Sequence, residues 1–364
     1  MRAMTAPTLD PKAVYRECVN SISDKNLRNR LKALTNDIAA AAGDYHQRGV
    51  AKKLYTISPN NCGDDDVVLG AVTKKELKNV YSSYMVGRTK PGRKIYESLL
   101  STAPSGRCPF CGVGHASTLD HYLPKSKYPQ LSVLPLNLVP SCKDCNTGKN
   151  SAIVTKEEMQ GLHPYFDHNG FVCEQWLFAE VVSNSPETLR YFVRAPKDWD
   201  DVSKERVQSH FECFKLAKRY AIEAANELAG RKLSLDEFKK NNGYDRLVDF
   251  LSSEAESFFT VHPNSWQTAF YQALASYIEV QNVVNKSSFV RCPVCEGEAV
   301  LVGQFCPCCK GSGEVQSCSL HKINISDYEF FKCPECDGSP RCFLCGGSKK
   351  IDRSKALQTT RKRQ

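Results

Sequence analysis

Pairs of cysteines spaced Cys-x-x-Cys are the residues of this sequence with the clearest metal chemistry. The first two pairs are Cys108/Cys111 and Cys142/Cys145. Together they supply four thiolates, a set that suits a closed tetrahedral zinc site. A closed site leaves no open position for a substrate, so we predict a structural zinc ion. Such an ion can contribute about 10 kcal/mol to folding.

Residues with the chemistry of hydrolysis lie between and just after these cysteines. Asp120 and His121 end a short run that we predict to be a strand entering a turn. Asn137 follows, and Asn146 comes directly after Cys145. The zinc ion would tie the start of the strand pair to the start of the next helix. We therefore expect Asp120, His121 and Asn146 to lie close together.

These residues have the ligands and the base that metal-dependent cleavage of a phosphodiester needs. Carboxylate and amide oxygens suit Mg²⁺ or Mn²⁺, so Asp120 and Asn146 are the predicted ligands of a catalytic divalent ion. A neutral His121 can take a proton from water, because histidine is mostly unprotonated at neutral pH. Four lysines flank the site and are predicted to contact phosphates: Lys125, Lys127, Lys143 and Lys149.

The segment from Cys108 to about Ser151 resembles the HNH family, also called ββα-metal or His-Me finger nucleases. The resemblance rests on CPFCGVGHASTLDHYLP, LPLNLVP and CKDCNTGKN. It implies that His121 is the general base and that Asn137 holds the catalytic loop and orients this base. It also implies that Asp120 and Asn146 bind the catalytic metal. The reaction expected from the resemblance is hydrolysis that leaves a 5′-phosphate, with DNA favoured over RNA as substrate.

Two other hypotheses remain open from the sequence. One is a non-catalytic, zinc-dependent adaptor that binds nucleic acid, in which His121 is a buried structural residue and Asn146 caps a helix. Cleavage that depends on a divalent metal distinguishes this adaptor from a nuclease. The other is a chaperone-like interaction protein built on the C-terminal cysteines, for which His121 is dispensable.

The sequence around the module resembles a set of bacterial HNH proteins associated with anti-phage defence, some of which work beside an ATPase. This wider resemblance rests on KPGRKIYESLL, HPYFD, WLFAEVV and RVQSHFECFKLAKRY. It implies a role in defence and a regulatory protein partner such as an ATPase. Because an unregulated nuclease is toxic to its host, we predict a partner or trigger that controls the activity.

Further Cys-x-x-Cys pairs lie near the C-terminus, and their eight thiolates predict two more zinc ions, about three in the whole chain. CPCCKGSG, CPECDGS and CFLCGGS resemble the cysteine-rich knuckles of DnaJ co-chaperones, but the chain has no His-Pro-Asp sequence of a J domain. The assignment of these pairs to the two ions stays open. The predicted ligands are Cys292, Cys295, Cys306, Cys309, Cys333, Cys336, Cys342 and Cys345.

The remaining patterns predict a mainly helical α+β chain around a ββα-metal module, followed by a zinc-knuckle domain. Apolar spacing predicts helices over 10–43, 73–100, 202–231, 234–253 and 264–285, and a β-hairpin over 173–194. The predicted regions are an N-terminal helical region (1–100), the HNH module (101–165), a hairpin and helical domain (166–286), a Cys-rich zinc-binding domain (287–350) and a basic tail (351–364).

Composition limits the class of protein. The formal net charge is +9, from 49 Lys+Arg against 40 Asp+Glu. This excess favours an anionic partner, with nucleic acid first and an acidic protein surface as the alternative. No apolar stretch is long enough to span a bilayer, and the N-terminus has no apolar signal core. We therefore expect a soluble, cytoplasmic protein without a membrane partner, whose reduced cysteines bind metal rather than form disulfides.

Overall fold

A computed structural model of the chain describes residues 1–148, 154–167, 170–184 and 187–287, together with short strands in the C-terminal part. The chain divides into two compact units, Met1–Ala275 and Ser276–Gln364. Helices predominate in the described residues, and each sheet there has two antiparallel strands. The predicted class, mainly helical α+β, is confirmed at this level.

The N-terminal region forms three helices, so the prediction of one helix over 10–43 is wrong. Asp10 and Asp24 each begin a helix, because their carboxylates accept hydrogen bonds from backbone N–H groups of the first turn. Because Asp24 caps a second helix, the first helix must end before Asp24 and a turn must separate the two helices. The helices are α1 (Pro11–Asn20), α2 (Lys25–Ala33) and α3 (Thr35–Val50).

The chain then forms a small hairpin and two further helices. Thr73 and Glu76 form a capping box at the start of α4, since each side chain bonds the backbone N–H of the other. A π-helical turn, Val80–Met85, continues α4. The Pro91–Gly92 pair predicts a break in the helix expected over 73–100, and this break is confirmed because α5 begins at Gly92. The elements are β1 (Val67–Leu69), β2 (Val72–Thr73), α4 (Lys74–Asn79) and α5 (Gly92–Ser101).

One hydrophobic core joins these helices to a second pair of strands, β3 (Thr118–His121) and β4 (Leu138–Ser141). Leu119 and Leu138 are buried in this core with side chains from α1, α3, α4 and α5. The N-terminal helices therefore form the support on which β3 and β4 are held. A short helix, α6 (Lys143–Gly148), follows β4 directly.

The second half of this unit consists of a β-hairpin and long helices. The predicted hairpin over 173–194 is confirmed, because β5 and β6 pair antiparallel from Leu177 with Val193 to Asn184 with Glu187. The elements are α7 (Gly170–Cys173), β5 (Leu177–Asn184), β6 (Glu187–Val193), α8 (Asp201–Cys213), α9 (Leu216–Val261) and α10 (Trp266–Ser287).

The predicted helix boundaries between 202 and 253 are wrong in two places. Lys215, at φ +51°, separates α8 from α9, so the predicted helix over 202–231 is interrupted. Within α9 the backbone turns back at Gly243, where φ is 82° and a glycine costs least. Residues on either side of this turn meet: Arg231 lies 3.8 Å from Glu254. α9 is therefore a helical hairpin with two antiparallel arms.

A buried ion pair attaches α8 to the segment that follows the cysteine module. The Arg206 guanidinium donates to both carboxylate oxygens of Asp167, at 2.6 and 3.0 Å, and to the Gln160 carbonyl at 2.9 Å. His163 is buried nearby; its backbone N–H donates to Asp167 and its ring lies 3.1 Å from the Tyr45 hydroxyl. The sequence HPYFD leaves His163 as a packing or a catalytic residue, with packing favoured, and these contacts agree with packing.

In the second unit, the described residues are the end of α10 and short strands that pair in twos. The pairs are β7 (Phe289–Arg291) with β10 (Glu314–Gln316), β8 (Val300–Leu301) with β9 (Gln304–Phe305), and β11 (Phe330–Lys332) with β12 (Lys350–Asp352). The predicted C-terminal zinc ligands, from Cys292 to Cys345, lie outside the described residues. Among the helices that are described, none combines the length and the apolar character needed to cross a membrane.

Candidate metal centre and active site

Four cysteine thiols lie together beside β3 and β4. The Sγ atoms of Cys108, Cys111, Cys142 and Cys145 are all within 4.8 Å of one another, and all four residues are buried. Cys111 Sγ and Cys142 Sγ are 3.9 Å apart. Zinc–sulfur bonds of about 2.3 Å put the sulfurs of a tetrahedral site about 3.8 Å apart, whereas a disulfide bond measures about 2.05 Å. The predicted group can therefore hold one metal ion, and Zn²⁺ suits its four thiolates.

Two glycines let the first cysteine loop close around this group. Gly112 has a φ of +70°, and its N–H donates to the Cys108 carbonyl at 2.7 Å. A Cβ on Gly114 would lie 2.6 Å from the Cβ of Cys142, too close for any side chain. His115, the residue after Gly114, is exposed, as expected for a histidine beside a site that four cysteines already complete.

Residues from α8 and α9 complete the surroundings of the cysteines. Arg219 Nη1 lies 3.7 Å from Cys142 Sγ, within reach of a charge-assisted hydrogen bond to a thiolate. The Tyr220 hydroxyl donates to the Cys111 carbonyl at 3.1 Å. Burial lowers the pKa of His210 to about 3, so its ring is neutral and Nε2–H donates to the Phe110 carbonyl.

None of these three residues could be assigned to the metal centre from the sequence alone. They lie about a hundred positions after the first cysteines, and nothing local in the sequence assigns them to that loop. The signal that was present is the segment RVQSHFECFKLAKRY, which contains His210, Arg219 and Tyr220. In the sequence, this segment indicates the wider resemblance to HNH proteins. It does not indicate a contact with the four cysteines.

The order strand, strand, helix positions the predicted active-site residues. β3 and β4 pair antiparallel, with Asp120 opposite Val139 and His121 opposite Leu138. Cys142 immediately precedes α6, and Cys145 lies on this helix. A metal ion bound by the cysteines therefore ties the loop before β3 to the first turn of α6.

Asn146, on α6, contacts the start of β3. Its Nδ2 lies 3.1 Å from the Thr118 hydroxyl oxygen, and that hydroxyl lies 3.1 Å from the Ser141 carbonyl. A carbonyl can only accept, so the single hydroxyl hydrogen goes to Ser141. The hydroxyl oxygen must then accept from Asn146, and the amide oxygen Oδ1 of Asn146 points away from Thr118.

Asp120 lies on the same face of β3 as Thr118, because residues two apart on a strand share a face. Its carboxylate is buried, with 5% of the residue exposed. Asn146 contacts this face through Thr118. The structure thus places Asp120 and the Asn146 side chain at the same face of β3. A carboxylate and an amide offer oxygen donors that suit a hard divalent cation.

His121, the last residue of β3, has a fixed ring orientation. Its Nε2 lies 2.7 Å from the Ser132 carbonyl oxygen, and its ring meets the Tyr81 ring edge to face at 4.4 Å. Because the carbonyl can only accept, Nε2 carries the hydrogen and Nδ1 is the proton-accepting nitrogen of the neutral ring. Ser132 is itself held by a bond of 2.9 Å from its hydroxyl to the Leu77 carbonyl.

Asn137 is fully buried and holds the loop between β3 and β4. Its Oδ1 accepts from the Leu123 N–H at 2.7 Å, and its Nδ2 donates to the carbonyls of Leu123 and Leu131 at 3.0 and 3.2 Å. Ser132, which follows Leu131, supplies the carbonyl that orients His121. Asn137 therefore lies where it can position the loop that orients this histidine.

Replacing Asn137 with alanine is expected to lower the free energy of unfolding by about 2–4 kcal/mol, because buried backbone groups of Leu123 and Leu131 lose their partner. Urea unfolding of the full chain measures this loss. Asn61→Ala is the matched control, since Asn61 is exposed and only accepts from Lys127. Equal destabilisation by the two changes would contradict the role given to Asn137.

One of the flanking lysines lies next to the histidine. Lys125 Nζ is 2.7 Å from the Ser82 hydroxyl and 4.8 Å from the centre of the Tyr81 ring, which itself contacts His121. Burial, followed by repulsion from Lys78, lowers the pKa of Lys125. A single aromatic ring therefore separates this ammonium group from His121.

Lys127 and Lys143, also predicted to contact phosphates, have surroundings that differ from those of Lys125 beside Tyr81. Lys127 Nζ lies 3.0 Å from Asn61 Oδ1, on the loop before β1. Lys143 is exposed at the start of α6. Lys149 lies outside the described residues.

A cavity of about 350 Å³ adjoins the module. Residues 122–124, directly after His121, form one wall, and the end of α8 forms another. Most of its lining is apolar or aromatic, including Tyr122, Tyr128 and Phe214. The sequence does not predict this cavity, because its walls come from segments that are far apart in the chain.

Among known proteins, this chain is similar to protein ea31 of Escherichia phage lambda. The two are 29% identical over 289 residues, which is 76% of this chain and 97% of the phage protein. The similarity therefore extends over nearly the whole of the relative. No protein-family profile matches the chain. No solved structure matches it either.

Proposed function

We propose that this protein is an HNH endonuclease that hydrolyses phosphodiester bonds with a divalent metal ion, in DNA more than in RNA. The observation that carries the proposal is the strand–strand–helix unit beside the four cysteines. In this unit His121 is held by the Ser132 carbonyl, and Asp120 and Asn146 lie on one side. The order of the elements and these residues agrees with the resemblance noted in the sequence.

The donor set supports a site for Mg²⁺ or Mn²⁺. Asp120 offers a buried carboxylate, and the bond to Thr118 leaves Oδ1 of Asn146 facing away from that hydroxyl. These two residues would hold the ion. A bound divalent ion stabilises negative charge on the phosphate and on the leaving oxygen.

In the proposed reaction, His121 acts as the general base. Its Nδ1 takes a proton from a water molecule as the water oxygen bonds to phosphorus and the bond from phosphorus to the leaving oxygen breaks. The ring becomes positively charged in this step. The Ser132 carbonyl, which accepts from Nε2–H, favours this charged form and keeps the ring in one orientation.

The role proposed for the four thiolates is structural. Zinc held by Cys108, Cys111, Cys142 and Cys145 would connect the loop before β3 with α6, and so fix Asn146 relative to β3. The two further zinc ions proposed for the C-terminal cysteines belong to residues outside those described.

A protein partner is part of the proposal. The resemblance to HNH proteins of anti-phage defence supports a defence role and regulation by a partner such as an ATPase. The net charge of +9 supports nucleic acid as the substrate.

The proposal predicts that the full chain cleaves supercoiled plasmid DNA with Mg²⁺ or Mn²⁺ and not with EDTA. Asp120→Asn is expected to abolish this cleavage with zinc content and folding unchanged, since an uncharged amide is a weaker ligand. Asp144→Asn is the control, because Asp144 is an exposed carboxylate of the same module. Cleavage without a divalent ion, or by Asp120→Asn at the wild-type rate, would contradict the proposal. DNA binding without cleavage would favour the non-catalytic adaptor.

A further inference from the structure

The Lys125 ammonium group lies beside the helical turn that follows Lys78, on the side of His121 that faces α4. Lys125 Nζ donates to the Ser82 hydroxyl at 2.7 Å, and that hydroxyl donates to the Lys78 carbonyl at 3.3 Å. Lys78 is near enough to repel Lys125 and, after burial, is the second cause of the lowered pKa of Lys125. Lys78 and Ser82 are four residues apart and so share one helical face, which places two cations where an anion could bind.

The Lys78 ammonium group forms an ion pair with a carboxylate of the same chain. Its Nζ lies 2.7 and 2.8 Å from the two carboxylate oxygens of Asp64. This bond to Lys78 lowers the pKa of Asp64, so the carboxylate stays charged at neutral pH. About half of the Asp64 side chain is exposed, so it can leave Lys78 without disturbing the core.

The loop that carries Asp64 is held firmly against α4. The Lys75 N–H donates to the Asp64 carbonyl at 2.8 Å. The Lys74 ammonium is buried and donates to the carbonyls of Asn60 and Cys62 at 3.1 and 2.8 Å. These backbone contacts keep the Asp64 carboxylate opposite Lys78, whether or not the two side chains are paired.

This lysine pair lies one side chain away from the proposed base. Lys125 Nζ is 4.8 Å from the Tyr81 ring centre, and the Tyr81 and His121 rings are 4.4 Å apart. Tyr81 and Ser82 belong to the π-helical turn after α4, a rare conformation that is frequent at functional sites. A cation at the position of Lys125 can contact a phosphate near the bond to be cleaved.

We propose that Lys78 and Lys125 bind a backbone phosphate of the nucleic-acid strand next to the cleavage site, and that Asp64 occupies Lys78 in the free protein as an internal competitor. The inference rests on the proposed function, since it assigns the nuclease a phosphate subsite. It also assigns Asp64 the role of weakening nucleic-acid binding at that subsite. The incoming phosphate replaces the Asp64 carboxylate at Lys78. An ion pair as exposed as this one is weak, so the exchange is feasible.

Equilibrium binding tests this exchange without any need for cleavage. The full chain carries His121→Ala, divalent ions are absent, and fluorescence anisotropy reports binding to a labelled DNA duplex and to the matching single strand. Asp64→Asn is expected to tighten binding about two- to five-fold at low salt, because the competing ion pair is lost. The gain should shrink as salt is raised. Lys78→Ala is expected to weaken binding, and Asp64→Asn should then give no further gain.

Asp44→Asn is the matched control, because it removes the same charge from a carboxylate that pairs with Arg48 on α3. Three results would overturn the inference: no tightening by Asp64→Asn, equal tightening by Asp44→Asn, or a gain that persists with Lys78→Ala. Thermal unfolding of each variant confirms that the proteins compared are folded.

The two proposals fail in different ways. Tighter binding by Asp64→Asn, together with cleavage that His121→Ala leaves unchanged, would keep the phosphate subsite and reject the proposed nuclease site. Cleavage that depends on His121, with no effect of Asp64→Asn on binding, would keep the nuclease and reject the subsite.

Discussion

His121→Ala is expected to slow divalent-dependent cleavage of DNA by about 10²–10⁴-fold, the usual contribution of a well-placed general base. The hydrogen bond from Nε2 to the Ser132 carbonyl leaves Nδ1 to accept the proton from water. Without the ring, that proton has no acceptor at this position. The initial rate of plasmid nicking, with wild type and variant at equal protein and Mg²⁺ concentration, measures the loss.

Two controls separate chemistry from folding in this experiment. His115→Ala removes an exposed histidine of the same module and should cleave at the wild-type rate. Added imidazole should restore part of the activity of His121→Ala, since it can supply the missing base, and should leave the His115→Ala rate unchanged. Equal cleavage by wild type and His121→Ala would reject this histidine as the base.

The cysteine centre could be predicted from the sequence because its geometry is mostly local. Each Cys-x-x-Cys pair fixes the distance between its own two thiols, and zinc chemistry requires two such pairs to meet. Gly112 and Gly114 also mark the tight turn between Cys108 and β3. The contact between Arg219 and Cys142 could not be predicted, because no local sequence pattern connects a residue of α9 with Cys142.

The orientation of His121 could not be predicted, for a different reason. Its hydrogen-bond partner is the carbonyl of Ser132, and any residue at that position offers the same carbonyl. Only the folded loop, held by Asn137, determines which carbonyl faces the ring. The resemblance implies that Asn137 holds this loop. It does not predict that Asn137 does so through the backbone groups of Leu123 and Leu131.

The helix boundaries show where pattern analysis fails. Apolar spacing continues across Asn20–Asp24 and across Lys215, so periodicity alone predicts longer helices than the chain forms. At Gly243 a turn signal was present in KNNGYDR, since Asn and Gly favour turns. The stacking of Phe238 on Phe250 then closes the helical hairpin, a contact that no local pattern specifies.

Cys108→Ser is expected to have the largest effect on folding. A structural zinc site can contribute about 10 kcal/mol, whereas a whole domain is stable by about 5–15 kcal/mol. Cys108 is fully buried and lies in the loop before β3, whereas Cys142 and Cys145 lie at the start of α6. Without four thiolates, no contact of comparable strength among the described residues connects these elements, so the variant should unfold at a much lower temperature than wild type.

Metal content and thermal unfolding of the purified chain measure this effect. The variant should contain one zinc ion fewer per chain than wild type, and a strong chelator should make wild type unfold at a similarly reduced temperature. Cys173→Ser, which changes an exposed thiol, should alter neither quantity. If Cys108→Ser kept the wild-type zinc content and unfolding temperature, the thiols would pack the module without a metal, and another contact would have to fix Asn146 relative to β3.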